Sequence, residues 1–228
     1  MTLIRGLALV TAAAAVGVGI FLYSAFSAFL PWRERGEAAR AADLAGIQPG
    51  TVVAEIGAGK GLFSVEFARR VGPSGRVYAT EITPEAVAGL AARAEAEGMR
   101  NIVETRGERT KTNLPGGCCD VLFLRNVYHH VTEPASFGRE LRKALQDDGR
   151  LVVVDFEAGA LWFHGGRPGD SPERRPGHGV ARTAAIAELR TAGFEVERQV
   201  PDWNGPMWLV VFRAVPITGS SEAARRRP

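Results

Sequence analysis

The sequence predicts an α/β fold: a doubly wound, mostly parallel seven-stranded sheet that closes in a C-terminal antiparallel hairpin and follows one N-terminal transmembrane helix. From residue 51 onward, short apolar runs rich in β-branched residues alternate with segments of helical spacing. Continuous apolar strands separated by helices are typical of a parallel sheet covered on both faces. Only six residues separate the last two apolar runs, which is too short for a crossover and indicates an antiparallel pair.

Seven strands and four helices follow in order along this part of the chain. The predicted strands cover residues 51–56, 76–82, 101–105, 120–124, 151–156, 194–200 and 207–214. The predicted helices cover residues 62–71, 83–98, 133–145 and 181–192. Thr83 followed by Pro84 is a typical N-cap and first helical residue. A further, charged helix is expected before the first strand, and Gly46 is a typical residue to end it.

The length and composition indicate one folded domain with a modest positive net charge. The chain has 228 residues, 46% of them hydrophobic, and a net charge of +3. This length suits one domain with a sizeable core, and so small an excess of cations does not indicate nucleic-acid binding. The adjacent Cys118 and Cys119 are expected to point to opposite faces of a strand, so we expect no structural disulfide between them. No cysteine or histidine spacing predicts a metal site.

Residues 7–30 form an uncharged apolar stretch. A helix of this length would be roughly 36 Å long, enough to cross a bilayer core of about 30 Å. We expect an uncut single-pass anchor, with Trp32 at the membrane interface. The three arginines between residues 33 and 40 outnumber Arg5, which places the following domain in the cytoplasm. The alternative is a signal peptide cleaved near residues 25–27, which would export the domain.

The segment from Glu55 to Gly61 joins the first of these strands to the helix after it. Its glycines stand at 57, 59 and 61, and this spacing matches neither the dinucleotide fingerprint nor the phosphate-binding P-loop. Glu55 would repel a pyrophosphate but attract an ammonium group. Glu81, at the end of the second strand, can accept hydrogen bonds from both hydroxyls of a ribose. The implied ligand has a ribose and a cationic amino-acid end, with no need for a phosphate.

The motif E-x-G-x-G-x-G and the acid at Glu81 resemble class I S-adenosylmethionine-dependent methyltransferases. The resemblance covers residues 44–214, and within it residues 119–156 are similar to that family's fourth strand, loop, helix and fifth strand. It implies S-adenosylmethionine as the cofactor, with Glu108 near the adenine amino group. It also implies that Asn126 lies in the loop beside the methyl group. The cofactor-binding residues implied are Glu55, Gly57, Gly59, Gly61, Glu81, Glu108 and Asn126.

Candidate catalytic residues lie where the fourth and fifth strands end. Tyr128, His129 and His130 follow the fourth strand, and Asp155 is near the end of the fifth. Either histidine can exchange a proton near neutral pH, which methyl transfer requires only when the acceptor is a hydroxyl or a protonated amine. The alternative is that a histidine merely caps or packs. Asp155 either orients the acceptor or is a buried structural acid.

The chain is expected to divide into an anchor with its basic flank (1–36), a domain that resembles methyltransferases (37–215) and a polar, disordered tail (216–228). The irregular segment 157–179 is short for a substrate domain, so the expected acceptor is a small molecule or, given the anchor, a lipid-like one. The sequence leaves the oligomeric state open. Two alternatives remain: a catalytically silent or exported cofactor-binding or scaffold protein, and a nicotinamide-dependent oxidoreductase, which Glu55 and the glycine spacing disfavour.

Overall fold

The computed structural model describes residues 35–157 and 179–215. The predicted anchor at 7–30, most of the irregular segment (158–178) and the predicted tail (216–228) lie outside the described residues. Within the described ranges, no helix is both long enough and apolar enough to cross a membrane.

One seven-stranded sheet runs through the described domain in the order β3-β2-β1-β4-β5-β7-β6. The strands are β1 (Val52–Ile56), β2 (Arg76–Glu81), β3 (Ile102–Arg106), β4 (Cys119–Arg125), β5 (Leu145–Phe156), β6 (Phe194–Asn204) and β7 (Met207–Ala214). Strands β1 to β5 pair in parallel, whereas β7 is antiparallel to both β5 and β6. The predicted α/β sheet with its closing antiparallel hairpin is confirmed.

The helices occupy the connections that the sequence predicts. They are α1, described over residues 35–45, then α2 (Leu62–Val71), α3 (Pro84–Ala96), α4 (Pro134–Ala144) and α5 (Arg182–Thr191), with a short 3₁₀ helix at Tyr128–His130. Thr83 caps α3 as predicted, because its hydroxyl accepts a hydrogen bond from the backbone N–H of Ala86 at 3.2 Å.

The apolar faces of these helices cover both sides of the sheet. One core layer packs α1, α2 and α3 against the strands, through residues such as Ala41, Phe67 and Leu90. The other layer packs α4 and α5 against the opposite face, through Leu141 and Leu189. Burial on both faces is the physical reason why the central strands are continuous apolar runs without a two-residue alternation.

Strand β4 is slightly longer than predicted, and β5 and β6 are longer by several residues. Strand β5 begins at Leu145, directly after α4, and its pairing with β4 shifts register between Cys119 and Val121. Strand β6 continues past Pro201 to Asn204. Because β6 is an edge strand, the missing backbone N–H of a proline is tolerated there.

Cys118 and Cys119 are joined by a disulfide, so the expectation of unpaired cysteines is wrong. The expectation assumed that both residues lie within one strand. Strand β4 begins only at Cys119, and Cys118 belongs to the turn before it. Strand alternation therefore does not separate the two side chains.

Candidate functional site

The carboxyl ends of β1, β2 and β4 meet at one edge of the sheet, which we call the carboxyl edge. A cavity of about 470 Å³ lies there, at the position where open α/β sheets bind ligands. Its walls include five residues that the sequence analysis singles out: Gly57, Glu81, Glu108, Asn126 and His130. They also include residues that it does not: Ile82, Arg109, Lys111, Thr112, Val131 and Phe137.

The glycine loop after β1 has a backbone that side chains would disrupt. Gly57 has φ +70°, and a Cβ there would come within 2.5 Å of a methyl group of Val127 in the loop after β4. Gly59 and Gly61 also have positive φ, at +56° and +71°. A left-handed backbone and a close neighbour both require glycine, so the loop after β1 packs tightly against the loop after β4.

Glu81 ties the glycine loop to the end of β2. One carboxylate oxygen accepts a hydrogen bond from the backbone N–H of Gly59 at 2.7 Å, and the other accepts one from the N–H of Ile82 at 3.2 Å. A carboxylate has about four acceptor positions, so Glu81 can hold the loop and still accept hydrogen bonds from a diol in the cavity.

Glu55 lies behind the glycine loop, outside the cavity wall. Its side chain is 3% exposed, and one of its oxygens accepts a hydrogen bond from the hydroxyl of Ser64 in α2. Burial raises the pKa of Glu55 to about 8, against the opposing effects of Ser64 and of the Arg125 charge. In the ligand-free domain, Glu55 is therefore largely protonated near neutral pH.

Asn126 follows β4 in a left-handed backbone conformation, with φ +56°. Its backbone N–H donates to the carbonyl of Val154 at 2.9 Å, which fixes the residue against β5. Its side-chain oxygen is buried, lies in a residue that lines the cavity, and has no hydrogen-bond partner among the described residues. A buried polar atom without a partner costs free energy, so this oxygen is suited to receive a donor from a ligand.

Glu108 is exposed in the loop after β3, on the cavity wall. The loop is folded back on itself, since the N–H of Glu108 donates to the carbonyl of Lys111 at 2.7 Å. The N–H of Gly107 donates to the backbone carbonyl of Glu81 at 2.9 Å. These bonds hold the loop after β3 against the end of β2. Three residues that the resemblance assigns to the cofactor line the same cavity: Glu81, Glu108 and Asn126.

His129 and Asp155 form a buried pair. His129 Nδ1 lies 2.8 Å from one carboxylate oxygen of Asp155, and the backbone N–H of His129 donates to the other at 3.0 Å. Asp155 also accepts from the N–H of Phe156, at 2.9 Å, and is fully buried. This aspartate thus fixes the loop after β4 to the end of β5.

His130 is exposed and lines the cavity, whereas Tyr128 and His129 are buried and do not. Its ring centroid lies 4.0 Å from that of His129. Partial desolvation of the ring and the neighbouring His129 hold the pKa of His130 below its ordinary value. Arg109 acts in the same direction, and Asp155 opposes them. Tyr128 is fully buried, and its hydroxyl donates to Glu188 of α5 at 3.0 Å. Of the three residues, only His130 is placed to meet a ligand in this cavity.

A polar cluster centred on Glu37 also lies at the carboxyl edge, and the sequence does not predict it. Glu37 of α1 is 5% exposed and accepts two hydrogen bonds from Arg125, both at 2.9 Å. It accepts two more from Trp203, at 2.9 Å, and Asn204, at 3.3 Å. Within the segment "RERGEAAR", Glu37 looks like a solvated helix residue, and no local pattern marks it as buried.

No group of three or more metal-ligating side chains occurs in the described ranges.

Comparison by sequence finds relatives over the central part of the chain. Residues 54–153 match the family model described as a methyltransferase domain. The ubiquinone/menaquinone biosynthesis C-methyltransferase UbiE of Hydrogenovibrio crunogenus is 30% identical over 117 residues, which are 51% of this chain and 46% of that protein. The chain thus spans about half the length of this curated relative.

Comparison by fold finds solved methyltransferases. A S-adenosylmethionine-dependent methyltransferase from Aquifex aeolicus has a TM-score of 0.66 at 22% identity, over 78% of this chain and 89% of that one. Fibrillarin of Aeropyrum pernix, solved with natively bound S-adenosylmethionine, has a TM-score of 0.55 at 19% identity, over 76% and 73%. These structures show the same fold. Together with the family match over residues 54–153, they support S-adenosylmethionine as the cofactor that the sequence predicts. By sequence over residues 54–153, and by fold over most of the chain, this protein is similar to S-adenosylmethionine-dependent methyltransferases.

Proposed function

We propose that this protein is an S-adenosylmethionine-dependent methyltransferase that acts on a small-molecule or lipid-like acceptor. The observation that carries the proposal is the cavity at the carboxyl edge, where the glycine loop and Glu81 meet the Asn126 oxygen, which has no partner in the described part of the chain. These groups suit a ligand with hydroxyl and amine donors and without a phosphate. When bound there, the cofactor supplies an electrophilic methyl group on a sulfonium.

The geometry of the cavity supports a proposed role for each cofactor-binding residue. Glu81 accepts hydrogen bonds from the ribose hydroxyls while it holds Gly59, and Glu108 faces the base from the loop after β3. Asn126 accepts a donor with its side-chain oxygen. Gly57 lines the cavity, and Gly59 and Gly61 allow the left-handed backbone of the loop. Glu55 stabilises the ammonium of the amino-acid end from behind the loop, which requires that it ionise on binding.

Of the four catalytic candidates, His130 is the one proposed as the proton acceptor. It is the one that lines the cavity, and its lowered pKa keeps the imidazole neutral, hence able to take a proton, at physiological pH. His129 and Asp155 position it, since Asp155 fixes His129 and the ring of His129 contacts that of His130. Tyr128 supports the same loop through Glu188.

The acceptor is proposed to be small or lipid-like because of one relative and one sequence feature. UbiE is described as a C-methyltransferase of ubiquinone and menaquinone biosynthesis, so a similar domain acts in the synthesis of an amphiphile. The uncharged stretch at 7–30 is the proposed single-pass anchor, with the domain on the cytoplasmic side.

Cofactor binding and turnover test the proposal separately. Titration calorimetry of the full chain in mild detergent should detect S-adenosylmethionine and S-adenosylhomocysteine and should not detect NAD. Methyl-labelled S-adenosylmethionine should then yield labelled product with quinol or phenol acceptors. A chain that binds neither sulfur ligand contradicts the proposal. Binding without transfer to any acceptor would instead favour a silent cofactor-binding protein.

A further inference from the structure

The buried carboxylate of Glu37 fixes the described start of α1 to the carboxyl edge. Its four hydrogen bonds come from Arg125, the last residue of β4, and from Trp203 and Asn204 at the end of β6. Arg40 adds a contact, with its guanidinium carbon 4.2 Å from the centre of the Trp203 ring. A buried, hydrogen-bonded ion pair holds the elements that it joins in a single arrangement. Separating α1 from β4 and β6 would therefore cost free energy.

The hydrophobic stretch of the sequence ends close to this point. Leu30 is the last residue of the uncharged run and lies seven residues before Glu37. Seven residues span at most about 25 Å, because an extended chain advances roughly 3.3–3.6 Å per residue. The cofactor cavity shares the edge to which Glu37 is bound, since Asn126 of its wall directly follows Arg125. The stretch therefore ends within about 25 Å of Glu37 at the carboxyl edge.

We propose that the carboxyl edge, with the cofactor cavity, faces a lipid bilayer in which residues 7–30 are anchored, and that the methyl acceptor is taken from that bilayer. The assignment of the acceptor rests on the proposed function. The orientation of the domain does not, because it follows from the position of Glu37 and the length of the chain before it.

The rim of the carboxyl edge has side chains that suit a lipid surface. Lys60 of the glycine loop, Arg109 and Lys111 are exposed there, and Ile82 is 44% exposed on the cavity wall. The acids Glu81 and Glu108 share this rim, so its charge is mixed. Cations are attracted to an anionic leaflet, and an exposed aliphatic side chain is stabilised by contact with the membrane interface.

The opposite edge of the sheet is also charged and lies well away from the cofactor cavity. A polar cavity of about 440 Å³ there is lined by Asp120, Asp148 and Arg150. Strand β4 has seven residues, so at about 3.3 Å per residue the two edges are roughly 20 Å apart along the strands. A bilayer that covers one edge leaves the other in water.

The lysines of the chain form a built-in probe of this orientation. The sequence contains Lys60, Lys111 and Lys143 and no others. Lys60 and Lys111 are exposed at the carboxyl edge, whereas Lys143 is exposed at the end of α4, where its carbonyl accepts from Gly117 before β4. Lys143 is thus an internal reference on the far edge.

The full chain, without cofactor, is bound to vesicles of phosphatidylcholine and phosphatidylglycerol and treated with an amine-reactive ester. The extent of labelling at each lysine is then measured by peptide mass spectrometry. We expect the labelling of Lys60 and Lys111, each divided by that of Lys143, to be several-fold lower than in a matched variant with a 20-residue Gly/Ser insertion after Trp32. Such a linker adds an average separation of about 25 Å, which frees the edge while the anchor is unchanged.

Three outcomes would overturn the proposal: equal labelling ratios in the two proteins, failure of the chain to float with the vesicles, or an intact mass showing cleavage before residue 33. If the ratios behave as expected but no methyl transfer occurs, the orientation stands and the proposed function fails. If transfer occurs, the inserted linker should slow it with a bilayer-partitioned acceptor and leave it unchanged with a water-soluble analogue. Equal slowing of both would contradict uptake from the bilayer.

Discussion

The carboxylate of Glu81 accepts a hydrogen bond from the backbone N–H of Gly59 at 2.7 Å. The residue that the sequence assigns to the ribose therefore also holds the glycine loop in place. Both roles use the same carboxylate, because its two oxygens provide more acceptor positions than the loop occupies. Cofactor binding and loop geometry are consequently coupled through one side chain.

Replacement of Glu81 by alanine should weaken S-adenosylhomocysteine binding by at least about tenfold. Hydrogen bonds to a charged group contribute roughly 1.5–3 kcal/mol each, and about 1.4 kcal/mol corresponds to a factor of ten in affinity. Calorimetry measures the change. The matched control is Glu85→Ala, which removes an exposed carboxylate from the first turn of α3. Similar affinities in the two variants would contradict the role of Glu81.

Glu55→Gln should change how stability depends on pH. The raised pKa of about 8 means that the folded state binds this proton more tightly than the unfolded chain does. The contribution of Glu55 to the free energy of unfolding is therefore complete below about pH 4.5 and is lost as the pH rises towards 8, by roughly 1.4 kcal/mol per pH unit. Glutamine does not titrate, so the variant should gain stability relative to the natural chain between pH 5 and 8. Urea unfolding in detergent at several pH values measures this difference, and a constant difference across the range would disprove it.

His130→Asn should lower kcat far more than it changes the affinity for S-adenosylhomocysteine, if the acceptor is a hydroxyl. General base catalysis contributes typically 10²–10⁴-fold. Because the pKa of His130 is held below its ordinary value, the natural enzyme should lose activity only as the pH falls below about 6.5. The control is His129→Asn, which leaves the base but removes the contact to Asp155. It should retain the acidic limb of the pH–rate profile that His130→Asn abolishes. An unchanged limb in His130→Asn would exclude this residue as the base.

The sequence predicts the sheet and the glycine loop because their signals are local. A fully covered strand such as β4 is a continuous apolar run, and the need for positive φ selects glycine at 57, 59 and 61. The cluster around Glu37 is not predictable in this way. It joins residues up to 167 positions apart, and each of them is ordinary in its own segment. The different positions of His129 and His130 likewise depend on Asp155, which belongs to another strand.

The pair Glu37–Arg125 offers a last prediction, about stability. Burial alone would raise the pKa of Glu37, but the hydrogen bonds and charge of Arg125, with the hydrogen bonds from Trp203 and Asn204, together lower it. Arg125→Met leaves this carboxylate buried without its cation and should cost about 3–5 kcal/mol of unfolding free energy. The double variant Glu37→Gln with Arg125→Met removes both charges and should recover a large part of that loss, because glutamine still accepts from Trp203. Urea unfolding of the single and double variants measures the coupling. If the double variant is as unstable as the sum of its single changes, the two residues do not stabilise each other, and α1 is held to the sheet by its alanine face instead.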